Sequence, residues 1–122
     1  MGTTRHRGRD AESFACHYLE ARGLSLIERN YRRRQGEIDL IMNDTGSLVF
    51  VEVRFRRQTR FGSGAESIDR RKQTKIVACA RGYLQTHPEM TTRPCRFDVV
   101  SISGDVGDPS VEWIQDAFSS LV

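Results

Sequence analysis

The sequence has little with which to staple itself or to hold a soft metal. It contains three cysteines, Cys16, Cys79 and Cys95, and three histidines, His6, His17 and His87. The cysteine number is odd and no Cys-x-x-Cys spacing occurs, which argues against a disulfide framework or a thiolate zinc site. The cysteines read instead as small apolar residues of a reducing cytoplasm. The histidines are scattered and lack any His-Glu-x-x-His spacing, so a histidine metal site is not indicated. No apolar run approaches the roughly 20 residues that span a membrane. The stretch Met1 to Asp10 is polar and basic, without the apolar centre of a secretory signal. These absences predict a cytoplasmic protein with no membrane partner. Two nucleophile and nucleotide signatures, Gly-x-Ser-x-Gly and Gly-x-x-x-x-Gly-Lys, are also missing.

What is present suits one compact domain, 1–122. The chain has 122 residues, 38% hydrophobic and 29% charged, a size that buries a core without staples. A net charge of +3 permits a polyanionic partner without demanding one.

Residues 1–8 read as a flexible basic tail. A helix is expected from about Arg9 to Arg22, with Ala11, Phe14, Ala15, Tyr18 and Leu19 as its apolar stripe and Gly23 as its cap. Asp10 and Glu12 would then occupy its first turn, where the helix dipole favours negative charge. An irregular strand follows over Leu24 to Tyr31, then a basic turn with Arg32, Arg33 and Arg34. Strands at Glu37 to Met42 and Leu48 to Arg57 flank a turn at Asp44 to Ser47. After a basic loop comes a second helix, Ser67 to Thr86, whose apolar side carries Ile76, Val77, Ala80, Tyr83 and Leu84. Arg96 to Ser103 and Val111 to Ile114 read as strands, and Asp116 to Leu121 as a terminal helical turn. The order α-β-β-β-α-β-β predicts an α/β fold, a mixed sheet with helices packed on it.

The register of the central hairpin follows from burial. A four-residue loop, Asp44 to Ser47, sets Asn43 opposite Leu48, Met42 opposite Val49, Leu40 opposite Val51 and Ile38 opposite Val53. The face of Met42, Leu40 and Ile38 with Val49, Val51 and Val53 is wholly apolar, and a slip of one residue would mix it with charge; the same register sets Ile41 opposite Phe50 on the other face. On the other face Asp39 meets Glu52 and Glu37 meets Arg54. Directly opposite Cβ atoms lie about 4.5–5.5 Å apart, so the two acids repel. A divalent cation with oxygen ligands would relieve them. The plainer alternative is a Glu37–Arg54 ion pair, with Asp39 and Glu52 in solvent.

Gly36-Glu-Ile-Asp-Leu-Ile41 followed by Val49-Phe-Val-Glu-Val-Arg-Phe-Arg56 resembles the YraN family of bacterial proteins. Gly8-Arg-Asp-Ala-Glu12, Asn30, Phe61-Gly62, Lys72, Arg96-Phe-Asp-Val-Val100 and Asp116-Ala-Phe118 extend the likeness over nearly the whole chain. The resemblance implies the restriction-endonuclease-like, PD-(D/E)xK, nuclease fold. By it, Asp39 takes the first metal-binding position, Glu52 the acidic position of the (D/E)xK element, and Arg54 stands where that element has lysine. Glu12 matches a helix-borne glutamate of Holliday-junction-resolvase-like members. The motif's proline is Ile38 here.

Metal-assisted hydrolysis of a phosphodiester is then the expected chemistry, with Mg²⁺ or Mn²⁺ held by Asp39 and Glu52, while Glu12 holds it through water or helps activate the nucleophile. Arg54 stays charged and cannot be a general base, but it can contact the scissile phosphate. Arg56, Arg57 and Lys72 are the expected nucleic-acid contacts, within basic clusters at Arg54 to Arg60 and Arg70 to Lys75. The expected partner is DNA, branched DNA included, and junction cutting would call for a homodimer. Two other classes fit the same residues: a nucleic-acid-binding protein without turnover, and a module that binds a protein through a sheet edge.

Overall fold

The computed structural model describes residues 4–56, 68–105 and 108–119. Helix α1 (Thr4–Glu20) leads into strands β1 (Ser25–Arg33), β2 (Gly36–Asp44) and β3 (Ser47–Arg56). Helix α2 (Arg70–Thr86) and a 3-10 turn at Pro88–Met90 precede β4 (Cys95–Asp105) and β5 (Asp108–Phe118). The five strands lie in chain order across one mixed sheet. Only β3 and β4, joined through α2, run parallel; the other three pairings are antiparallel.

The two helices cover opposite faces of the sheet. Ala11, Ala15, Cys16 and Leu19 of α1 join Leu40, Met42, Val49, Val51, Val100 and Ile102 in one core. Ile76, Val77, Cys79, Ala80 and Tyr83 of α2 join Ile38, Ile41, Leu48, Phe50 and Phe97 in the other. Each core takes alternate residues of β3 and β4, and of β2 from Leu40 to Met42, as the two-residue period of a strand requires.

Helix α1 ends as expected at Gly23, whose φ is +100°. Gly23 N–H donates to Glu20 O and Leu24 N–H to Leu19 O, both at 3.1 Å, which is the Schellman pattern. The helix starts at Thr4, earlier than expected, so Asp10 and Glu12 lie beyond its first turn. The dipole therefore does not account for Glu12. Phe14, expected in the apolar stripe, is exposed, as is Phe55 near the end of β3.

The terminal segment departs further. Asp116 to Phe118 belongs to β5 and is not helical. Two contacts hold it extended. Phe118 stacks on Phe97 with centroids 5.0 Å apart. Asp116, at φ +52°, donates its backbone N–H to Asp98 Oδ1 at 2.9 Å. Asp98 is fully buried and also accepts from Arg96 Nε at 3.0 Å and Trp113 Nε1 at 3.0 Å. Arg96 in turn reaches Asp44 Oδ2 at 2.8 Å, tying β4 and β5 to the β2–β3 hairpin. A buried carboxylate so supplied with donors is retained without a stranded charge.

The hairpin register agrees with the sequence reading from Asn43↔Leu48 through Leu40↔Val51. The turn itself is tighter, because Asp44 and Ser47 also pair and leave only Thr45 and Gly46 at the tip, with φ of +51° and +94°. Beyond Leu40↔Val51 the expected pairs are not made. Ile38 lies in the α2 core although Leu40 lies in the α1 core, so the strand loses its alternation between them. The candidate site residues gather at that place.

Candidate metal centre and its basic flank

Asp39 sits where β2 and β3 part. Val53 N–H donates to Asp39 Oδ2 at 2.8 Å, so a side chain occupies the place of a ladder carbonyl. This bond fixes the carboxylate in the seam between the strands. Glu12 approaches it from the α1 side, and Glu52 stands on the other side, within hydrogen-bonding reach of Asp39.

Oxygens of Glu12, Glu37 and Asp39 all lie within 4.8 Å of one another. Glu12 comes from α1, and Glu37 and Asp39 from β2. Asn30 of β1 supports Glu12 with a side-chain hydrogen bond. It does so from a left-handed conformation, φ +52°, which asparagine tolerates better than most residues. Nearby, Arg29 donates to Ser13 Oγ at 2.9 Å and Arg32 Nε lies 3.5 Å from Glu37.

Glu52 faces the other way. Its neighbours Val51 and Val53 pack on the α1 side, so alternation turns Glu52 toward α2. Its side chain is 6% exposed, and Lys72 Nζ lies 2.7 Å from Oε2. Arg54 Nη1 lies farther off, at 4.0 Å. Lys72 is set there by its helix terminus: the N-cap Asp69 accepts from Lys72 N–H at 2.8 Å. Gln73 Nε2 donates to Ile68 O at 2.9 Å and secures the same turn.

The crowding of acids is visible in their protonation. The Asp39 carboxyl is pushed up to about 8, chiefly because burial penalises its charge and next because Glu52 is beside it. Burial likewise raises Glu12, with the Asn30 hydrogen bond opposing. A proton relieves such a site, and so does a cation. The donor set is carboxylate oxygen throughout, which suits hard ions such as Mg²⁺ and Mn²⁺ over soft ones.

Of the residues singled out in the sequence, Glu12, Asp39, Glu52, Arg54 and Lys72 come together. Asp39 and Glu52 do so differently from expectation. They are neighbours across the seam, not a facing pair on one hairpin face. The Glu37–Arg54 ion pair of the plainer alternative is not what forms: Glu37 pairs with Arg32, and its place is in the acidic cluster. Its signal was the spacing Glu37-x-Asp39, two acids on one face of a strand. Arg56 ends β3, half-buried. Arg57, Arg60 and Phe61-Gly62 lie outside the described residues. No described helix is long and apolar enough to cross a membrane.

Comparison with known proteins bears on this arrangement. The model of "Uncharacterised protein family UPF0102" matches residues 11–102, a span that holds every residue of the cluster and its basic flank. A UPF0102 protein of Nitrosococcus oceani is 53% identical over 116 residues, covering 95% of this chain and 94% of its own. One from Pseudomonas savastanoi pv. phaseolicola is 46% identical over 114 residues, 93% of each chain. Among solved structures, Pyrococcus furiosus SfsA in complex with Ca²⁺ aligns with 92% of this chain and 63% of that chain. The identity there is 13% and the TM-score 0.36, too slight a likeness to support an argument. The family match and the full-length relatives agree with the YraN resemblance, and the chain belongs to the UPF0102 (YraN) family.

Proposed function

We propose that this protein is a Mg²⁺- or Mn²⁺-dependent endonuclease of the restriction-endonuclease-like fold that hydrolyses phosphodiester bonds in DNA. The observation that carries the reading is the position of Asp39. It joins an acidic cluster, Glu12 and Glu37, to a carboxylate flanked by two cations, Glu52 with Lys72 and Arg54. An ion and a phosphate could thus meet at one carboxylate.

Glu12, Glu37 and Asp39 would hold the metal, with Glu52 beside them. When bound, the ion would supply a water of lowered pKa and neutralise charge on the phosphate. A guanidinium does not serve as a general base, so the part of Arg54 is to contact the non-bridging phosphate oxygens. Lys72 adds a second positive group on the same side. The exposed Arg70, Arg71 and Lys75 of α2, and Arg32 to Arg34 of the β1–β2 turn, offer contacts to the flanking phosphates. Such contacts give affinity that falls with salt and carries no sequence preference. By the family resemblance, branched DNA is included among the substrates. A homodimer acting on it would form through β1 or β5, the two edge strands.

The test is cleavage of labelled linear, single-stranded, flap and four-way-junction DNA by wild type and Asp39→Asn, in Mn²⁺, Mg²⁺ or chelator. Metal-dependent cutting by wild type that vanishes in the variant supports the nuclease. Binding without cutting by either protein supports the non-catalytic nucleic-acid-binding alternative. Cutting that persists in Asp39→Asn refutes the assignment of the site.

A further inference from the structure

Glu52 is a nearly buried carboxylate, and a buried charge without a partner is costly. Its near partner is Lys72, at 2.7 Å; Arg54 is at 4.0 Å. The two cations differ in freedom. The backbone of Lys72 is fixed by the Asp69 cap, but its side chain is 43% exposed, with the amine on a flexible four-carbon stem. The Arg54 side chain is 27% exposed. Lys72 can therefore move its charge into solvent without any movement of the helix, leaving Arg54 behind.

We infer that Lys72 is a substrate-positioning residue that exchanges partners. It holds Glu52 while no nucleic acid is bound, and gives its amine to a backbone phosphate when one arrives. The exchange frees Glu52 to strengthen the cation site beside Asp39. Phosphate and divalent metal then bind with positive coupling, and the coupling is reciprocal. The identity of the phosphate ligand rests on the nucleic-acid reading above; the hold of Lys72 on Glu52 does not.

The experiment measures Mn²⁺ affinity of the full chain, with and without a short duplex of phosphorothioate linkages that resists cleavage. Wild type is compared with Lys72→Met, Lys72→Arg and Arg81→Met, each checked for folding by circular dichroism. Without DNA, Lys72→Met should bind Mn²⁺ about tenfold more tightly, because a unit positive charge leaves the site. Arg81→Met, exposed more than two turns farther along the same helix, should change affinity by less than about twofold. Added duplex should tighten Mn²⁺ binding in wild type and Lys72→Arg, and the enhancement should fall at least about threefold in Lys72→Met. Unchanged Mn²⁺ affinity in Lys72→Met, or equal enhancement with and without the lysine, overturns the exchange. A duplex that does not bind wild type refutes the phosphate half together with the nucleic-acid reading. The Lys72→Met result in Mn²⁺ alone then still decides whether Lys72 restrains Glu52.

Discussion

Replacing Asp39 by asparagine should strengthen the metal-free protein while destroying its metal site. The asparagine carbonyl can still accept from Val53 N–H, and its amide would face the oxygens of Glu12 and Glu52. The gain comes from protonation. Folded Asp39 titrates near 8, whereas the unfolded chain has an ordinary aspartate near about 3.9. Between those values the folded state holds a proton that the unfolded state has released. Stability from this group therefore falls as pH rises, by about 1.4 kcal/mol per pH unit, and levels off above about pH 8. The ceiling at pH 7.5 is about 5 kcal/mol. Glu12 and Glu52 relax when one charge is taken from their midst, so the expected gain is about 1–3 kcal/mol. At this chain length that raises the midpoint by about 3–5 °C per kcal/mol. The assay is thermal unfolding in chelator from about pH 5 to about pH 8, and the gap between variant and wild type should widen with pH. Saturating Mn²⁺ should reverse the order, since an ion at about a thousand times its Kd stabilises only the wild type, by about 4.1 kcal/mol. An Asp39→Asn protein less stable than wild type near pH 8 in chelator, or a gap independent of pH, would refute the reasoning.

Arg96→Met should cost about 3–5 kcal/mol in urea unfolding, because Asp98 is then left buried without its cation. Arg96 also holds the Asp44 carboxyl below its ordinary range. The stability from that pair is present above the unfolded aspartate value and lost as pH falls through the lower folded one, and Arg96→Met should remove this acid-side dependence. Asp69→Ala should cost about 1 kcal/mol through loss of the cap. It should also weaken DNA binding in a salt titration, because the turn that carries Lys72 frays. Glu37→Gln should lower Mn²⁺ affinity by about tenfold with little change in unfolding midpoint, since it removes a ligand charge.

Much of the fold was legible because its signals are local. Ile41 and Phe50, or Met42 and Val49, had to share a face, and any slip would have exposed them; the ladder keeps that register. Gly23 announced the end of α1 through the one conformation that favours glycine. The end of β5 was not legible in the same way. Asp116-Ala-Phe118 is compatible with a helical turn. What decides the matter is distant in sequence: the stack on Phe97 and the N–H held by Asp98. Phe14 likewise fits the helical period, but the sheet beneath α1 is covered by the narrower stripe Ala11, Ala15, Cys16 and Leu19.

The site was legible in its membership more than in its geometry, and the reason is physical. The pairing rule that fixes register assumes that both strands keep making ladder bonds. Here the ladder stops at Leu40 and Val51, and an aspartate side chain takes the next N–H. No pattern within the hairpin marks that point, because Ile38, Leu40 and Met42 still alternate with Glu37, Asp39 and Ile41. The alternation is broken by the choice of Ile38 between two cores, and that choice depends on Tyr31 and α2. Local rules are expected to fail where function competes with stability. Giving up ladder pairs beyond Leu40 and crowding half-buried acids both oppose folding, yet together they aim three carboxylates at one point. A hairpin with Asp39 and Glu52 paired across one face would have kept its ladder while still setting two acids face to face, and it would have left Glu12 and Glu37 without a common centre.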